Sequence, residues 1–263
     1  MDIIGRGLSA DVYDNNDGTV VKIYHSNMPK EMYLQDYEIS SIVNKHYKNT
    51  PKVYGLTDSK PYPGIIFEKI DGRNLITEIK KNPLRIRHYA KEFAKVHYAI
   101  HGHCIDELPN QIDSLTDKIR IIDLPEQVIL KVIEYTSLLS TSNRLCHNDF
   151  MPGNVVCDNG RMVVIDWRTA TQGNPLGDIA RTIILNSVPR KDIEISFHDS
   201  ILRKIFTKEY ESEYMKLAGI SKCEIEKWLL PLSVIRLGEG ISKAERKRLY
   251  RYIMKKLLKP ISG

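Results

Sequence analysis

Four polar residues have the types and spacing of a phosphoryl-transfer site. The segment LCHNDFMPGN, residues 145–154, contains His147, Asp149 and Asn154, and the strand-like VVIDW that follows it carries Asp166 twelve residues after Asn154. Transfer of a nucleotide γ-phosphoryl group requires a carboxylate near the attacking hydroxyl and oxygen ligands for Mg²⁺. Asp149 is suited to accept the hydroxyl proton, and Asn154 and Asp166 are suited to bind the metal. The alternative is that these are turn and strand-end residues, but the H-x-D-x-x-x-x-N spacing with its later aspartate favours the functional interpretation.

The N-terminal part of the chain contains a loop that would suit nucleotide phosphates. GRGLSADV follows the G-x-G-x-x-G-x-V pattern except that Ala10 replaces the third glycine. We expect Gly5 and Gly7 to form this loop and Ser9 to donate a hydrogen bond to one phosphate. A glycine loop alone is weak evidence, because glycines also occur in ordinary turns.

A lysine on the next predicted strand strengthens this interpretation. Lys22 lies in VVKIY, where its ammonium can reach the α- and β-phosphates; the alternative is an ordinary exposed strand residue. We expect Glu38, in the helical stretch DYEISSIV, to hold Lys22 by an ion pair, and Glu31 is the competing candidate. The segment FEKI lies where the two predicted lobes join. For this reason we expect its backbone, at Glu68 and Ile70, to contact the adenine edge.

The pattern along the chain predicts a β-rich part followed by a longer helical part. Two β-branched or aromatic runs around DNNDG indicate a hairpin, and NVVCDNGRMVVIDW indicates a second one with an Asn-Gly turn. Most of the remaining sequence has helical spacing. We therefore predict the α+β class with two lobes: residues 1–70 as a small nucleotide-binding lobe, and residues 71–263 as a larger helical lobe with the catalytic loop and acceptor site. A cleft between two such lobes is the expected ligand site.

The motifs resemble those of the aminoglycoside phosphotransferase family, which is related to choline kinases and has a protein-kinase-like fold. The resemblance covers nearly the whole chain and is strongest in LCHNDFMPGNVV and VVIDWRTATQGNPLGDIARTI. It implies Asp149 as the catalytic base, with His147 bracing the loop. It also implies Asn154 and Asp166 as magnesium ligands and Lys22 as a contact of the nucleotide phosphates.

Three positions refine the comparison with the family. Asp178, in GDIAR, falls where the family has an aspartate that helps to order the site; an ordinary helix-start residue is the alternative. Asn148 stands where the family usually has glycine and protein kinases have arginine, and DWR replaces D-F-G at Asp166. Both differences argue against a protein kinase that is switched by phosphorylation of its activation loop.

The segment HYAIHGH offers a second, weaker metal pattern. His97 and His101 are four residues apart, which is a spacing seen in zinc sites. No third carboxylate or histidine lies at a convincing offset, and Asp106 is the nearest candidate. We therefore expect these histidines to pack between helices and not to bind zinc.

Composition and charge exclude several classes of protein. No apolar run reaches the roughly 18–20 residues that cross a bilayer, so we expect no membrane span. The four cysteines are scattered without a C-x-x-C pair, which suits a reducing cytoplasm. The net charge of +6 is concentrated in the C-terminal SKAERKRLYRYIMKKLLKP. We expect this stretch to be a helix that packs through its apolar stripe; contact with an anionic partner is the alternative, and no nucleic-acid binding is expected.

We predict an ATP-dependent, Mg²⁺-requiring kinase of a small hydroxylated molecule, with GTP as a possible donor. An aminoglycoside, a sugar and an amino alcohol are all candidate acceptors. A pocket for a polycationic aminoglycoside should be rich in carboxylates, and the helical part contains acidic residues at Asp192, Glu194, Glu209, Glu211 and Glu213. The same part of the chain also contains the basic C-terminal helix, so its charge balance neither requires nor excludes a cationic acceptor. A kinase-fold protein that binds a nucleotide or a partner without catalysis is the alternative function.

Overall fold

The computed structural model describes residues 2–57, 64–188 and 196–258, and the chain forms two compact units. The first, the N-terminal unit, comprises Met1–Glu78 and Pro152–Ala170, and the second, the helical unit, comprises Ile79–Met151 and Thr171–Gly263. The first break lies close to the predicted boundary at residue 70. The later segment, which contains Asn154 and Asp166, joins the N-terminal unit, which the division at residue 70 did not anticipate.

The N-terminal unit is built on a five-stranded antiparallel sheet. Its strands are β1 (Asp2–Arg6), β2 (Ala10–Asp14), β3 (Thr19–Tyr24), β4 (Val53–Thr57) and β5 (Gly64–Glu68), in the spatial order β1-β2-β3-β5-β4. Helix α1 (Lys30–His46) contacts β4 and β5. In the central strand β3, Lys22 lies opposite Val12 on one side and Ile65 on the other.

Both predicted hairpins form, and each turn uses residues that tolerate a left-handed backbone. The β2–β3 turn has positive φ at Asn16 (60°) and Gly18 (85°). The second hairpin joins β8 (Val155–Asp158) to β9 (Arg161–Val164) through Asn159 (φ 46°) and Gly160 (φ 85°). The short strand β6 (Arg73–Asn74) pairs with β8 and leads into helix α2 (Leu75–Lys81).

The helical unit contains eight helices among the described residues and one two-stranded sheet. The helices are α3 (Ile86–Ile100), α4 (Gln111–Arg120), α5 (Glu126–Ser137), α6 (Pro175–Ser187), α7 (Phe197–Ala218), α8 (Lys222–Glu226), α9 (Leu229–Leu237) and α10 (Lys243–Leu257). Strands β7 (Arg144–Cys146) and β10 (Thr171–Gly173) pair antiparallel. Helix α3 packs against α7, and the apolar α9 contacts α4, α5, α6 and α10. The predicted α+β class is confirmed.

The basic C-terminal stretch forms α10, and its apolar stripe is buried as expected. Leu249 and Ile253 are buried, and the helix packs against α9. The last residues of this stretch, from 259 on, lie outside the described part of the chain. Among the described helices, none combines the length and the apolar character that crossing a bilayer requires.

Candidate active site

A buried carboxylate on α1 fixes the lysine of the central strand. Asp36 is 1% exposed and accepts a hydrogen bond from Lys22 Nζ at 2.8 Å. The hydroxyl groups of Tyr24 and Ser40 also donate to this carboxylate, the latter at 3.0 Å. Three donors therefore satisfy a charge that would be costly to bury alone.

The prediction that Glu38 pairs with Lys22 is wrong, because Asp36 occupies that position. Glu38 lies on the exposed side of α1, and Glu31, the competing candidate, is also exposed. The helical repeat contains the missed signal: Asp36 shares a face with the buried residues Ile39 and Val43, at spacings of three and seven. A residue two positions further along a helix points in a different direction.

Lys22 also pairs with Asp166, the acid at the end of the second hairpin. The distance between Lys22 Nζ and Asp166 Oδ1 is 2.8 Å. Burial disfavours the charged lysine, but the two carboxylates of Asp166 and Asp36 outweigh it and raise the pKa of Lys22 above its ordinary value. Lys22 therefore stays charged at every physiological pH.

The backbone at Asp166 has an unusual conformation that its neighbour stabilises. Asp166 has φ 63°, a left-handed value that is uncommon outside glycine and often marks functional sites. The next residue, Trp167, is 2% exposed, and its indole N–H donates to Thr50 Oγ1 at 2.9 Å and to the carbonyl of Val164 at 3.1 Å. The ring also makes an edge contact with Tyr47 at 5.5 Å between centroids. The buried tryptophan thus anchors the strand end, while Asp166 remains accessible with 42% of its side chain exposed.

The second hairpin brings Asn154 and Asp166 together. Asn154 ends a short 3-10 helix, Pro152–Asn154, directly before β8. Because Val155 pairs with Val164, the chain returns beside its starting point, and the N–H of Ile165 donates to the carbonyl of Asn154 at 3.0 Å. The two predicted metal ligands therefore sit on adjacent, hydrogen-bonded backbone segments.

The donor set formed by Asn154 and Asp166 fits a hard divalent cation. One carboxylate and one carboxamide provide oxygen ligands, which Mg²⁺ prefers over nitrogen or sulfur. The partial exposure of Asp166 leaves room for water and phosphate oxygens, which Mg²⁺ usually retains. These residues are therefore suited to a magnesium site.

The predicted phosphate loop is the β1–β2 connection. Gly5 lies in β1 opposite Val12, and Gly7 begins the turn by donating its N–H to the Ala10 carbonyl at 3.0 Å. A Cβ at Gly7 would lie 2.7 Å from that carbonyl oxygen, so the tight turn requires glycine there. Ser9 is partly exposed, and its carbonyl accepts the N–H of His25 at 2.9 Å. The loop has the geometry of a tight hairpin turn.

The residues predicted to contact adenine lie at and just beyond the end of β5. Glu68 is the last residue of the strand, and Ile70 follows it; both are partly buried. The N–H of Glu68 donates to the Lys52 carbonyl at 2.9 Å, and the Glu68 carboxylate accepts the N–H of Lys52 at 3.1 Å. These bonds fix the segment in which the predicted adenine contact lies.

The predicted catalytic loop lies in the helical unit, and residues on both sides of its aspartate are fixed. His147 is fully buried, and its Nδ1 accepts the N–H of Asp149 at 3.2 Å. Phe150 is also fully buried and stacks on Phe93, with 4.1 Å between ring centroids. Asn148 has φ 60°, which explains the glycine that the family usually has here, since asparagine is among the few other residues that tolerate this conformation. Asp149 is only partly buried, as a residue that meets a ligand must be.

Asp178 fixes the loop that contains Asp149 by accepting four N–H groups. Its carboxylate accepts the backbone N–H of His147 at 2.5 Å and that of Asn148 at 2.8 Å. The Nε2 atoms of His97 and His101 lie 3.1 and 3.2 Å from the same carboxylate. Asp178 is fully buried, so these donors replace the water that an ionised carboxylate would otherwise bind. The ordering role expected of Asp178 agrees with this geometry.

The two histidines of α3 belong to the support of the loop. Their Nδ1 atoms contact tyrosine hydroxyls of α7: His97 meets Tyr210 at 2.7 Å, and His101 meets Tyr214 at 2.6 Å. A neutral His97 ring that donates its Nε2–H to Asp178 accepts the Tyr210 hydroxyl at Nδ1. Burial and the neighbouring His101 lower the pKa of His97 to about 4, so this ring is neutral near pH 7.

The acid that meets this histidine pair is Asp178, not Asp106, the near neighbour in the sequence. One nitrogen from each histidine and one oxygen of Asp178 lie within 4.8 Å of one another, close enough for a shared metal ion. However, every ring nitrogen already has a hydrogen-bond partner. Burial disfavours ionisation of Asp178, but the contacts of His97 and His101 outweigh it and hold the pKa of Asp178 well below its usual value.

The chain is similar to a known protein family and to solved structures. Residues 2–204 match the sequence profile of the phosphotransferase enzyme family. None of the curated protein sequences searched matches the chain. The match to the family profile covers both the glycine loop and the catalytic loop.

Three solved structures illustrate the fold similarity. A thermostable variant of the aminoglycoside phosphotransferase APH(4)-Ia, in a ternary complex with AMP-PNP and hygromycin B, has a TM-score of 0.66 at 15% identity, over 100% of this chain and 94% of that chain. The streptomycin–ATP–APH(2")-IIa complex has a TM-score of 0.62 at 18% identity, over 97% and 90%. The choline kinase LicA from Streptococcus pneumoniae has a TM-score of 0.59 at 16% identity, over 98% and 93%.

At these identities the structural similarity shows the fold alone, whereas the family profile covers most of the chain. Together they confirm the predicted resemblance to aminoglycoside phosphotransferases and choline kinases and the predicted fold. The chain belongs to the phosphotransferase enzyme family and has a protein-kinase-like fold.

Proposed function

We propose that this protein transfers the γ-phosphoryl group of ATP to a hydroxyl group of a small molecule. The observation that carries the proposal is the pair of 2.8 Å contacts that Lys22 makes with Asp36 and Asp166. A permanently charged lysine beside an accessible acid, with Asn154 on the adjacent backbone, is the arrangement that a phosphate-binding site needs.

We assign nucleotide binding to the N-terminal unit. Lys22 would contact phosphate oxygens, held in place by Asp36, and the loop at Gly5, Gly7 and Ser9 would cover the phosphates. The solved structures with AMP-PNP and ATP support ATP as the donor, and GTP is the alternative. Glu68 and Ile70 stay assigned to the adenine edge.

We assign Asn154 and Asp166 as the ligands of the magnesium ion. A bound Mg²⁺ would neutralise charge on the phosphates. The contribution of the protein would be to hold the Asp166 carboxylate near the Asn154 carboxamide. The hydrogen bond from the Ile165 N–H to the Asn154 carbonyl, which keeps the two backbone segments adjacent, supports this assignment.

Asp149 is assigned the role of catalytic base. It would accept the proton of the acceptor hydroxyl as that oxygen bonds to the γ-phosphorus and the bond to the β-phosphate oxygen breaks, releasing ADP. His147 and Asp178 fix the loop, so that Asp149 does not have to be ordered when the substrate binds. Free thiols at all four cysteines are consistent with the reducing cytosol as its location.

A panel of candidate alcohols tests the proposal. The purified protein is incubated with ATP and Mg²⁺ and with aminoglycosides, sugars, amino alcohols or hydroxy acids, and ADP release and phosphorylated product are measured. At least one acceptor should increase ADP release and yield the phosphate ester. Nucleotide binding without ester formation across the panel would contradict the proposal and favour a nucleotide-binding protein without catalysis.

A further inference from the structure

We propose that helix α10 docks on a phospholipid surface with anionic headgroups, through a face that the described part of the protein leaves exposed. The proposal goes beyond the proposed kinase activity and does not depend on it. It rests on the charge of α10, on a second row of apolar side chains along the helix, and on the exposure of both.

Helix α10 carries a charge equal to that of the whole chain. Lys243–Leu257 contains seven basic residues and one acidic residue, a net charge of +6, and the full sequence has the same value. The rest of the chain is therefore neutral overall. A charge of one sign that is gathered on one helix orients a protein toward an anionic partner.

One side of α10 holds the helix on the protein. Leu249 and Ile253 are both buried, and the helix packs against α9. These two residues are four positions apart, and side chains at this spacing lie along one face of a helix. Other rows of the same spacing can therefore be assigned to the remaining faces.

A second apolar row lies on an exposed side of the helix. Tyr250, Met254 and Leu258 are four positions apart and follow the buried row by one residue, which is a rotation of about 100°. Tyr250 is 41% exposed, and Leu258, directly after the helix, is 81% exposed. The three side chains line an open depression together with Arg251 and Lys255. Packing within the described part of the chain thus leaves this row largely uncovered.

A row of cations runs along the same exposed side. Lys243, Lys247, Arg251 and Lys255 are also four positions apart, and all four are exposed. Among the residues that the structure describes, none of these cations is paired with a carboxylate. The single acid of α10 pairs instead with Arg248, at 2.7 Å. The exposed side therefore combines uncompensated positive charge with apolar surface.

The acidic residues of the preceding helical part do not neutralise this charge. Glu209 and Glu211 of α7 are paired with cations of α3 and α8, at 3.0 and 3.2 Å. Glu213 lies on the same helix α7. Asp192 and Glu194 lie outside the described residues. Within the described ranges, none of these acids forms an ion pair with α10.

The combination of apolar and basic side chains favours a lipid surface over a nucleic acid. At the boundary between headgroups and acyl chains, apolar side chains enter the acyl region while lysine and arginine reach the anionic headgroups. Tyr250 suits this boundary because its ring is apolar and its tip is polar. A nucleic acid would attract the cations but would offer no apolar phase to Met254 and Leu258.

Binding to vesicles tests the proposal with the full chain and without nucleotide. Vesicles of phosphatidylcholine alone are compared with vesicles of equimolar phosphatidylcholine and phosphatidylglycerol, and bound protein is measured by flotation at low and high salt. We expect binding to the anionic vesicles and little binding to the neutral ones. Binding should weaken at high salt, because salt screens the attraction between the charges.

Removing three charges from the exposed side of α10 should weaken this binding on the order of 100-fold at low salt. The variant combines Lys247→Gln, Arg251→Gln and Lys255→Gln, and each basic residue near an anionic surface contributes roughly fivefold. All three side chains are exposed, so we expect the variant to melt at the wild-type temperature.

A matched control removes the same charge from another helix. Lys204, Lys208 and Lys216 are exposed on α7, and replacing all three with glutamine lowers the net charge equally. If the position of the charge on α10 matters, this control should bind the anionic vesicles much more tightly than the α10 charge variant.

A second variant tests the apolar row. The combination of Met254→Ser and Leu258→Ser keeps every charge of α10. It should weaken binding to the anionic vesicles by about tenfold or more, because these two side chains no longer enter the acyl region.

Three results with vesicles would overturn the proposal. They are the absence of binding to anionic vesicles at low salt, equal binding by the α10 and α7 charge variants, and wild-type binding by the variant with serine at 254 and 258. Tighter binding to duplex DNA than to the anionic vesicles would also overturn it and identify a nucleic acid as the partner. Because no phosphoryl transfer is measured, failure of this proposal and failure of the proposed function are distinguishable.

Discussion

Replacing Asp36 with asparagine should release Lys22, the lysine that we propose contacts the nucleotide phosphates. Asp36 accepts hydrogen bonds from Lys22, Tyr24 and Ser40 while it is 1% exposed. Asparagine offers only one acceptor oxygen and turns an NH₂ group toward these donors. In the Asp36→Asn variant Lys22 keeps Asp166 as its one charged partner and is no longer held against α1.

The size of the effect follows from the contact that is lost. A hydrogen bond to a charged group contributes about 1.5–3 kcal/mol. If this energy serves to hold Lys22 in position for the phosphates, its loss should weaken binding of ATP with Mg²⁺ by roughly 10- to 100-fold. The unsatisfied buried donors should also lower the free energy of unfolding by about 1–3 kcal/mol.

Calorimetric titration with ATP and Mg²⁺ measures this affinity without knowledge of the acceptor. Glu38→Gln is the matched control: it also neutralises a carboxylate of α1, but Glu38 is exposed and does not pair with Lys22. It should keep both affinity and stability. The melting temperature of each variant without nucleotide shows whether an affinity change reflects unfolding.

Unchanged affinity in the folded Asp36→Asn variant would refute the reasoning. A larger loss in Glu38→Gln than in Asp36→Asn would do so as well, because it would mean that a different acid of α1 serves Lys22 when the nucleotide is bound.

Two further predictions concern the proposed metal ligand Asp166 and the buried histidine His97. Asp166→Asn should weaken nucleotide binding in the presence of Mg²⁺ by about tenfold or more, while changing metal-free binding much less. An equal loss of nucleotide affinity with and without Mg²⁺ in a titration would exclude a role of Asp166 as a metal ligand. His97 has its pKa lowered from 6.5 to about 4 in the folded protein, so its contribution to stability is present above pH 6.5 and is lost as pH falls toward 4. Over this window the free energy of unfolding of the wild type should fall by about 3 kcal/mol more than that of His97→Gln; parallel curves from urea denaturation would show that His97 is not buried in its neutral form.

Local sequence signals were sufficient to predict the two hairpins. The turn at Asn159 and Gly160 is predictable because these two residues tolerate the positive φ of a tight hairpin. The register of that hairpin then brings the backbone of Asn154 close to that of Asp166. The position of Lys22 on a central strand follows in the same way from the β2–β3 hairpin.

Contacts between distant parts of the chain were not predictable in this way. Asp178 meets His97 across 81 residues of sequence, and no local pattern connects them. Arg181 lies in the motif GDIAR, but only the folded structure shows that its Nη1 has no hydrogen-bond partner among the described residues. Asp36 lies between these two cases. The helical repeat predicts that it faces the core, but its distance from Lys22 in the sequence does not distinguish it from Glu38.

The most direct test of the account compares the wild type with Asp149→Asn in one assay of ATP binding and ADP release. With an acceptor from the panel, the wild type should release ADP, and the variant should turn over about 100- to 10,000-fold more slowly, as expected for loss of a positioned base. Both proteins should bind ATP with similar affinity, because Asp149 lies outside the N-terminal unit to which the nucleotide is assigned. Equal turnover in the two proteins would contradict the account.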